Sequence, residues 1–388
     1  MLIYFYRNLI KGRCILKNVS LKNIRKDIVS GIIVALVSIP ISMGYAQIAG
    51  LPAVYGLYCS ILPVLIYGLV TSSPQFVFGV DATPAALVGG TLATLGIVSG
   101  SEEAKAVVPS ITLVAALWLL LFFFIKAGRI VNYISTPVMG GFISGIGVTI
   151  ILMQAAKLFG GNAGTGEAIQ LVMHIAGEFD SFNLLSAVLG VGTVVIILVA
   201  KKFIPKFPMS VLLMVPGALA TAIFHIDRFG VKLLPHVDKG LPGFSLPDMS
   251  VVLKNPSEII LLGLSVAGVV MAQTLLATNN YANKYGYKVS NNREILAYAA
   301  ANAASAVIGG CPLNGSVSRT GIADQFGCKS QFMSITASLT MLLIVLFGTP
   351  VLEYLPVPIL TGIVVAALIG ITEFGLAVKL WKTDHTEF

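Results

Sequence analysis

Long apolar stretches alternate with short polar connections from one end of the chain to the other. No Asp, Glu, Lys or Arg lies between Ile28 and Val80. Further charge-free runs cover Ala82 to Ser101, Ala106 to Ile125, Ile130 to Ala156, Ser181 to Ala200, Phe207 to Ile226, Ile259 to Asn283, Ile295 to Ser318, Ser330 to Leu352 and Tyr354 to Thr372. About 20 apolar residues cross the hydrocarbon layer as a helix. The runs therefore predict twelve spans, over 28–47, 52–70, 82–98, 106–125, 130–159, 184–200, 207–224, 257–278, 292–309, 317–327, 331–348 and 356–373. No soluble domain of any size fits between them.

Composition agrees with this pattern. Of 388 residues 56% are hydrophobic and 11% charged, where soluble domains carry roughly a quarter. The net charge is +8, and its placement matters more than its size, because cationic loops stay in the cytoplasm. Arg7, Lys11, Arg13, Lys17, Lys22, Arg25 and Lys26 precede the first span without an acidic residue, which places the N-terminus in the cytoplasm. Alternation then puts Lys126, Arg129, Lys201, Lys202, Lys206, Lys284, Lys288, Arg293, Lys329, Lys379 and Lys382 on the same side. Glu102, Glu103, Glu167, Glu178, Asp180, Asp227, Asp238 and Asp248 fall on the other. Segment 1–26 reads as a basic cytoplasmic leader with no apolar core for a cleavable signal; an interfacial helix is its other use. The scattered cations lack interleaved aromatics, so nucleic-acid binding is not indicated.

Two spans break the rule. The third is entered through Phe76-Val-Phe-Gly-Val-Asp81-Ala-Thr-Pro84, and the tenth through Pro312-Leu-Asn-Gly-Ser-Val-Ser-Arg319-Thr-Gly321. Each reads as an extended segment running into a helix start, with Asp81 a candidate N-cap in one and Ser316 or Ser318 in the other. Broken spans at corresponding positions of two halves indicate an inverted-repeat transporter with its site at the midplane. Extended backbone at that depth cannot face lipid, so the two segments should pair with each other inside the bundle. The helix N-termini that follow would then meet at one cavity, where free N–H groups and positive dipole ends favour an anion. Arg319 would add a full charge.

Other chemistry is weakly supported. Cys14, Cys59, Cys311 and Cys328 show no Cys-x-x-Cys spacing, and His174, His225, His236 and His385 form no ligand pair, so neither a metal nor a cofactor is called for. Gly140, Gly141, Gly145 and Gly147 lie within a span, with no preceding strand to make a nucleotide fingerprint; close helix packing explains them better. No Ser-His-Asp or paired-carboxylate arrangement points to an enzyme.

The residues also carry a resemblance. Asp27-Ile-Val-Ser-Gly31, Ala35-Leu-Val-Ser-Ile-Pro40, Met43-Gly-Tyr-Ala46, Gly50-Leu-Pro52, Gly56-Leu-Tyr58-Cys-Ser60 and Pro63 resemble the N-terminal signature of the SulP family of inorganic-anion transporters. Similar matches run from Tyr281 to Tyr287, through Asn292-Arg-Glu294, Ala301-Asn302, Gly309-Gly-Cys-Pro312 and Gly315-Ser-Val-Ser-Arg-Thr320, and from Leu355-Pro356 to Asp384. The resemblance covers roughly residues 25 to 388. It implies an all-α polytopic fold of two inverted seven-span repeats. A core (about 27–125 and 257–348) would move elevator-like against a gate (about 130–224 and 356–373). Against the family's pattern the sequence is expected to stop before the last two spans and the cytoplasmic STAS domain, as either a fragment or a shortened member.

The resemblance implies substrate-binding positions at Tyr45, Val80, Asp81, Ala82, Gln273, Ser318, Arg319 and Thr320. Departures bear on substrate and coupling: Gly79-Val80-Asp81 stands where the family has Gly-Pro-Val or Gly-Pro-Phe, Gln273 replaces a frequent carboxylate, and Ile41 replaces a Gln. Arg319 is then the anion-attracting charge, or else a structural partner of Asp81 or of carbonyls. Asp81 is the proton-coupling group in place of the missing carboxylate, or else a helix cap paired with Arg319. Gln273 binds substrate or glues helices, and Tyr45 faces the cavity or packs the core.

The function so implied is secondary active transport of a small anion (sulfate, bicarbonate or a carboxylate) across the cell membrane. Protons, or sodium, would be the coupling ion, and a homodimer is compatible with the family. The competing classes are a uracil/purine-permease-like carrier, against which Gln273 and Arg319 argue, and a non-transporting membrane module completed by another subunit.

Overall fold

The computed structural model describes residues 21–129, 136–164, 168–204, 207–234, 256–348 and 352–371, with 240, 241, 243, 244, 246–248 and 250 besides. Residues 1–20 of the leader expected over 1–26, and the segment after 371, lie outside the described residues.

Helix α1 (Leu21–Ile48) starts about two turns before the predicted 28, so Arg25, Lys26 and Asp27 are helical and continuous with the first span. The predicted span 52–70 is two pieces, α2 (Val54–Tyr58) and α3 (Leu62–Val70). Pro63 occupies the first turn of α3, where its missing N–H costs nothing but where a helix arriving from α2 could not continue. Strand β1 (Phe78–Val80) leads into α4 (Ala82–Thr94), of 13 residues. Helix α5 (Glu102–Phe124) is capped by Ser101, whose side chain accepts from the Ala104 N–H at 3.1 Å.

Helix α6 (Thr136–Leu158) is followed by α7 (Ala168–Gly177) and a 3-10 turn (Glu178–Ser181), a short helix in a connection predicted to be a loop. Next come α8 (Leu184–Phe203), α9 (Met209–Phe224) and α10 (Pro256–Tyr285). Helix α10 outruns its predicted end by two turns, so Asn279, Asn280 and Asn283 are inside it and do not cap it. Helix α11 (Asn291–Val307), strand β2 (Leu313–Gly315) and α12 (Val317–Gln325), of 9 residues, repeat the helix, strand, short-helix sequence of α3, β1 and α4. Helices α13 (Phe332–Leu343, continued by a π turn to Gly348) and α14 (Val357–Ile371) complete the bundle.

At 1.5 Å per residue, α4 and α12 are about 20 Å and 14 Å long, too short for the roughly 30 Å hydrocarbon layer. Among the described residues α1, α5, α8 and α10 are long and apolar enough to cross a membrane. Surface and interior are inverted relative to a soluble bundle. Helix α8 buries Ser186, Gly190, Thr193 and Ala200 while exposing Val188, Val191, Val195 and Val199. Small residues inside and large apolar ones outside is the arrangement lipid selects.

Helix α1 packs along α13 and touches α14; α11 packs on α5 and α3; α10 packs on α5; α14 packs on α6 and α8. Close approaches are made where a side chain is absent: a Cβ on Gly56 would stand 2.1 Å from Ser42 O, and one on Gly89 2.0 Å from Ile48 O. Gly141 and Gly145, expected to mediate such packing, have open space around them.

Candidate functional site

Strands β1 and β2 pair antiparallel, with Phe78 opposite Gly315, Gly79 opposite Asn314 and Val80 opposite Leu313. All six residues are buried. The pairing joins backbone groups that lipid could not satisfy, and because the strands are antiparallel the chain enters α4 and α12 in opposite senses. Two further bonds stitch the second junction. The Ser316 N–H donates to Val77 O at 2.9 Å, and Thr320 Oγ1 accepts from the Val77 N–H at 3.0 Å while donating to Ser316 O at 2.6 Å. Aromatic rings back the strand: Phe78 stacks on Tyr67 and on Tyr298, with centroids 4.7 and 5.3 Å away.

Asp81 and Ser316 occupy the N-cap positions of α4 and α12, but neither side chain makes a capping bond. Ser318 lies inside α12, with its Oγ 3.4 Å from Ser316 Oγ. The capping expected from sequence is therefore not made. The Asp81 carboxylate instead faces the Asn314 amide, 3.5 Å from Nδ2. The first-turn N–H groups of both short helices, which no intrahelical carbonyl can reach, are left without a capping side chain at the positive ends of the two dipoles.

Arg319 is only 2% exposed. Its Nη2 donates to Val80 O at 2.7 Å and its Nη1 to Ser38 Oγ on α1 at 3.4 Å. Its Nε is buried with no partner. No ion pair joins it to Asp81, so of the two structural roles open to it in the sequence, the carbonyl contact is present and the Asp81 pairing is not.

A chain of polar groups runs across the site from α10. Thr274 Oγ1 donates to Asn314 Oδ1 at 2.6 Å, which fixes the Asn314 amide so that Nδ2 faces both Asp81 Oδ2 and Gln273 Oε1. Gln273 Nε2 in turn donates to Thr83 Oγ1 at 3.2 Å. Tyr45 is buried on α1 within electrostatic reach of both Asp81 and Arg319.

The fold thus gathers Tyr45, Asp81, Gln273, Ser318 and Arg319 around the facing ends of α4 and α12. Ser318 is exposed, and Asp81 and Gln273 are half-buried. Val80, Ala82 and Thr320 are buried and form the frame: Val80 offers its carbonyl to Arg319, and the Thr320 hydroxyl is taken up by backbone. Sequence reasoning missed Asn314, Thr83, Thr274 and Ser38. Asn314 left a readable signal, a polar amide in the middle of the second extended segment.

The family model described as the sulfate permease family matches residues 24–388. The chain belongs to the sulfate permease family. That family comprises membrane anion transporters and not enzymes. A low affinity sulfate transporter of Stylosanthes hamata is 28% identical over 96% of this chain and 61% of its own length. Sulfate transporter 3.1 of Arabidopsis thaliana is 26% identical over 95% of this chain and 58% of its own. A probable sulfate transporter of Mycobacterium tuberculosis is 28% identical over 93% and 64%. The chain therefore spans about three fifths of the curated relatives it matches.

Two solved structures share the sulfate permease fold. The transmembrane domain of the cyanobacterial bicarbonate transporter BicA superposes with a TM-score of 0.82 at 18% identity, covering 95% of this chain and 93% of that one. The murine anion transporter Slc26a9 in its inward-facing state superposes at 0.88 with 20% identity, covering 100% of this chain and 67% of that one. Away from the half-helices, a cavity of about 420 Å³ is lined by Tyr55, Tyr58, Lys105, Leu246 and Asp248 among others, and none of the site residues above borders it.

Proposed function

We infer that this chain carries a small inorganic or carboxylate anion across the cell membrane, with sulfate and bicarbonate the leading substrates, by secondary active transport coupled to protons. The observation that carries this is Arg319: a buried guanidinium between two uncapped helix N-termini, with Nε unpartnered and no carboxylate paired to it. Burying a cation without a counter-ion is costly in a low-dielectric interior, and a bound anion supplies the missing partner while accepting the free N–H groups of α4 and α12. The sulfate and bicarbonate transporters among its relatives make those two anions the first to test.

The binding positions are Tyr45, Asp81, Gln273, Ser318 and Arg319, with backbone at Val80 and Ala82 and Thr320 holding the frame. Asp81 is the coupling group. An ionised carboxylate beside the anion repels it, and no ion pair neutralises that charge here, its side-chain contact being the Asn314 amide at 3.5 Å; a proton taken up with the anion removes the repulsion. Release of both on the other side returns the empty carrier. The helices grouped about α1, α5, α10, α11 and α13 would move as the core, elevator-like, against α6, α8, α9 and α14, with the N-terminus cytoplasmic.

The test is uptake of labelled sulfate, bicarbonate and dicarboxylates into proteoliposomes, with and without an imposed inward proton gradient. Accumulation of one anion class, raised by the gradient and lost in Arg319→Gln, is the expected result. Folded protein that moves none of these anions overturns the proposal.

A further inference from the structure

The side chains at the facing ends of α4 and α12 form one directed run of hydrogen bonds, and its direction is set from the backbone outward. Thr274 Oγ1 accepts from the Gly315 N–H at 3.0 Å, so its own proton goes to Asn314 Oδ1, 2.6 Å away. That turns the Asn314 amide nitrogen toward Asp81 and Gln273. The opposite orientation would set an amide oxygen against a carboxylate. Gln273 Oε1 is thereby used, and its Nε2 donates to Thr83 Oγ1 at 3.2 Å. Thr83 keeps its hydroxyl proton to give.

Other acceptors around the site are spent in the same way. Val80 O and Ser38 Oγ take Nη2 and Nη1 of Arg319, and Ser316 O takes both the hydroxyl and the N–H of Thr320. What an incoming molecule meets on the α12 side is donors: Arg319 Nε, the exposed Ser318 hydroxyl and the first-turn N–H groups. On the α4 side Pro84, the third helical residue, withholds an N–H. The group standing there is an acceptor. Asp81 is held by the Asn314 amide at 3.5 Å and by the Ala82 N–H. A carboxylate has about four lone-pair positions, and Asp81 is half-buried, so acceptor capacity remains open toward the anion.

The site is therefore donor-rich on one side and acceptor on the other. Sulfate presents acceptor oxygens all round, one of which would meet Asp81 oxygen against oxygen. An oxyanion that keeps a hydroxyl turns its charged oxygens to Arg319 and α12 and donates its O–H to Asp81. We propose that Asp81 is a selectivity residue that favours oxyanions carrying a hydroxyl, hydrogencarbonate foremost, over those carrying none. The inference rests on the anion site proposed above and adds its preference. No bond is broken: one proton lies between anion and carboxylate in either case. Hydrogencarbonate brings that proton itself, whereas sulfate is held once Asp81 has taken it from solution.

Calorimetric titration of the full chain in detergent tests this, in mildly alkaline buffer that keeps the carboxylate ionised and carbonate chiefly as hydrogencarbonate. Two sets of anions matched in charge and shape are compared: hydrogencarbonate against nitrate and acetate, and hydrogenphosphate against sulfate and monofluorophosphate. Within whichever set binds, the hydroxyl-bearing anion should bind about tenfold or more tighter, since an analogue lacking the hydroxyl leaves a charged acceptor unpaired. This comparison needs no variant. In Asp81→Asn the new amide should turn its oxygen to the Asn314 donor and its nitrogen to the site, and the order within each set should reverse. Equal binding with and without a hydroxyl, or a preference that survives Asp81→Asn, overturns the selectivity while anion binding lost in Arg319→Gln keeps the site itself. Folded protein that neither binds nor moves any of these anions removes the proposed function, and the selectivity with it.

Discussion

A Cβ placed on Gly79 would stand 2.9 Å from Nη1 of Arg319. The guanidinium lies against the bare backbone of β1, and this is what lets Nη2 reach Val80 O at 2.7 Å. Gly79 therefore sets the position of the site's cation. Gly79→Ala should displace the guanidinium and lower anion uptake about tenfold, at an overpacking cost of about 1–3 kcal/mol. Protein yield and helix content should hold, so uptake per folded molecule is the quantity to measure; uptake equal to the parent would show that Arg319 tolerates displacement.

Asn314 gives one amide group to two neighbours, Asp81 and Gln273, and is itself oriented by Thr274. Asn314→Ala leaves a half-buried carboxylate and a glutamine without their shared donor. Losing a hydrogen bond to a charged group costs roughly 1.5–3 kcal/mol, so substrate KM should rise by about tenfold or more. Isotope uptake over a concentration series checks this. An unchanged KM with a reduced maximal rate would place Asn314 in the movement of the carrier and not in binding.

Asp81→Asn removes the titrating carboxylate while keeping its size and its contact with Asn314. Uptake driven by the anion gradient alone should persist, and stimulation by an imposed proton gradient should disappear. Retained stimulation would remove Asp81 from the coupling step.

Glu294, fully buried at the start of α11, accepts from Thr71 Oγ1 at 2.8 Å, Ser72 N at 2.5 Å, Ser72 Oγ at 2.6 Å and Ser73 N at 3.0 Å. Asp27 plays the matching part on α1, accepting from the Lys329 N–H at 2.6 Å and from Ser330 Oγ at 2.5 Å. Each carboxylate thus ties a segment next to a half-helix to a full span. Glu294→Gln keeps the shape but turns one acceptor oxygen into a donor facing donors. Stability in detergent should fall by about 2 kcal/mol or more, read as a lower unfolding temperature.

Glu178, in the turn after α7, is held below its ordinary carboxyl range, chiefly by the Ser181 hydroxyl and also by the Asn162 backbone N–H. A lowered native value means that this clasp contributes fully above the unfolded value and is lost only as pH falls through the native one. Hydrogen exchange at the Asn162 amide should therefore stay slow at neutral pH and quicken only under acid conditions. In Glu178→Gln it should be fast throughout.

Much of this protein is written in one dimension. The charge-free runs place the spans because lipid selects apolar composition over a fixed length, and that constraint is local. The two interruptions, at Asp81 and Arg319, announced the half-helices for the same reason, since charge and extended backbone do not otherwise occur at that depth. Even the pairing of the strands follows, because unpaired N–H and C=O groups have no other partner there. Helix ends were less legible: α1 and α10 run past their apolar stretches, since a helix can continue beyond the bilayer while hydropathy reports only the part inside it.

What the tertiary structure alone decided is which polar groups meet. That Asp81 meets the Asn314 amide and makes no ion pair with Arg319, that Thr320 is taken up by backbone, and that Glu294 and Asp27 are buried clamps all depend on contacts between residues far apart in the chain. Composition and spacing fix where each residue lies along its helix. Rotation of the helices about one another, set by the packing of glycines and small residues between them, fixes what each side chain touches.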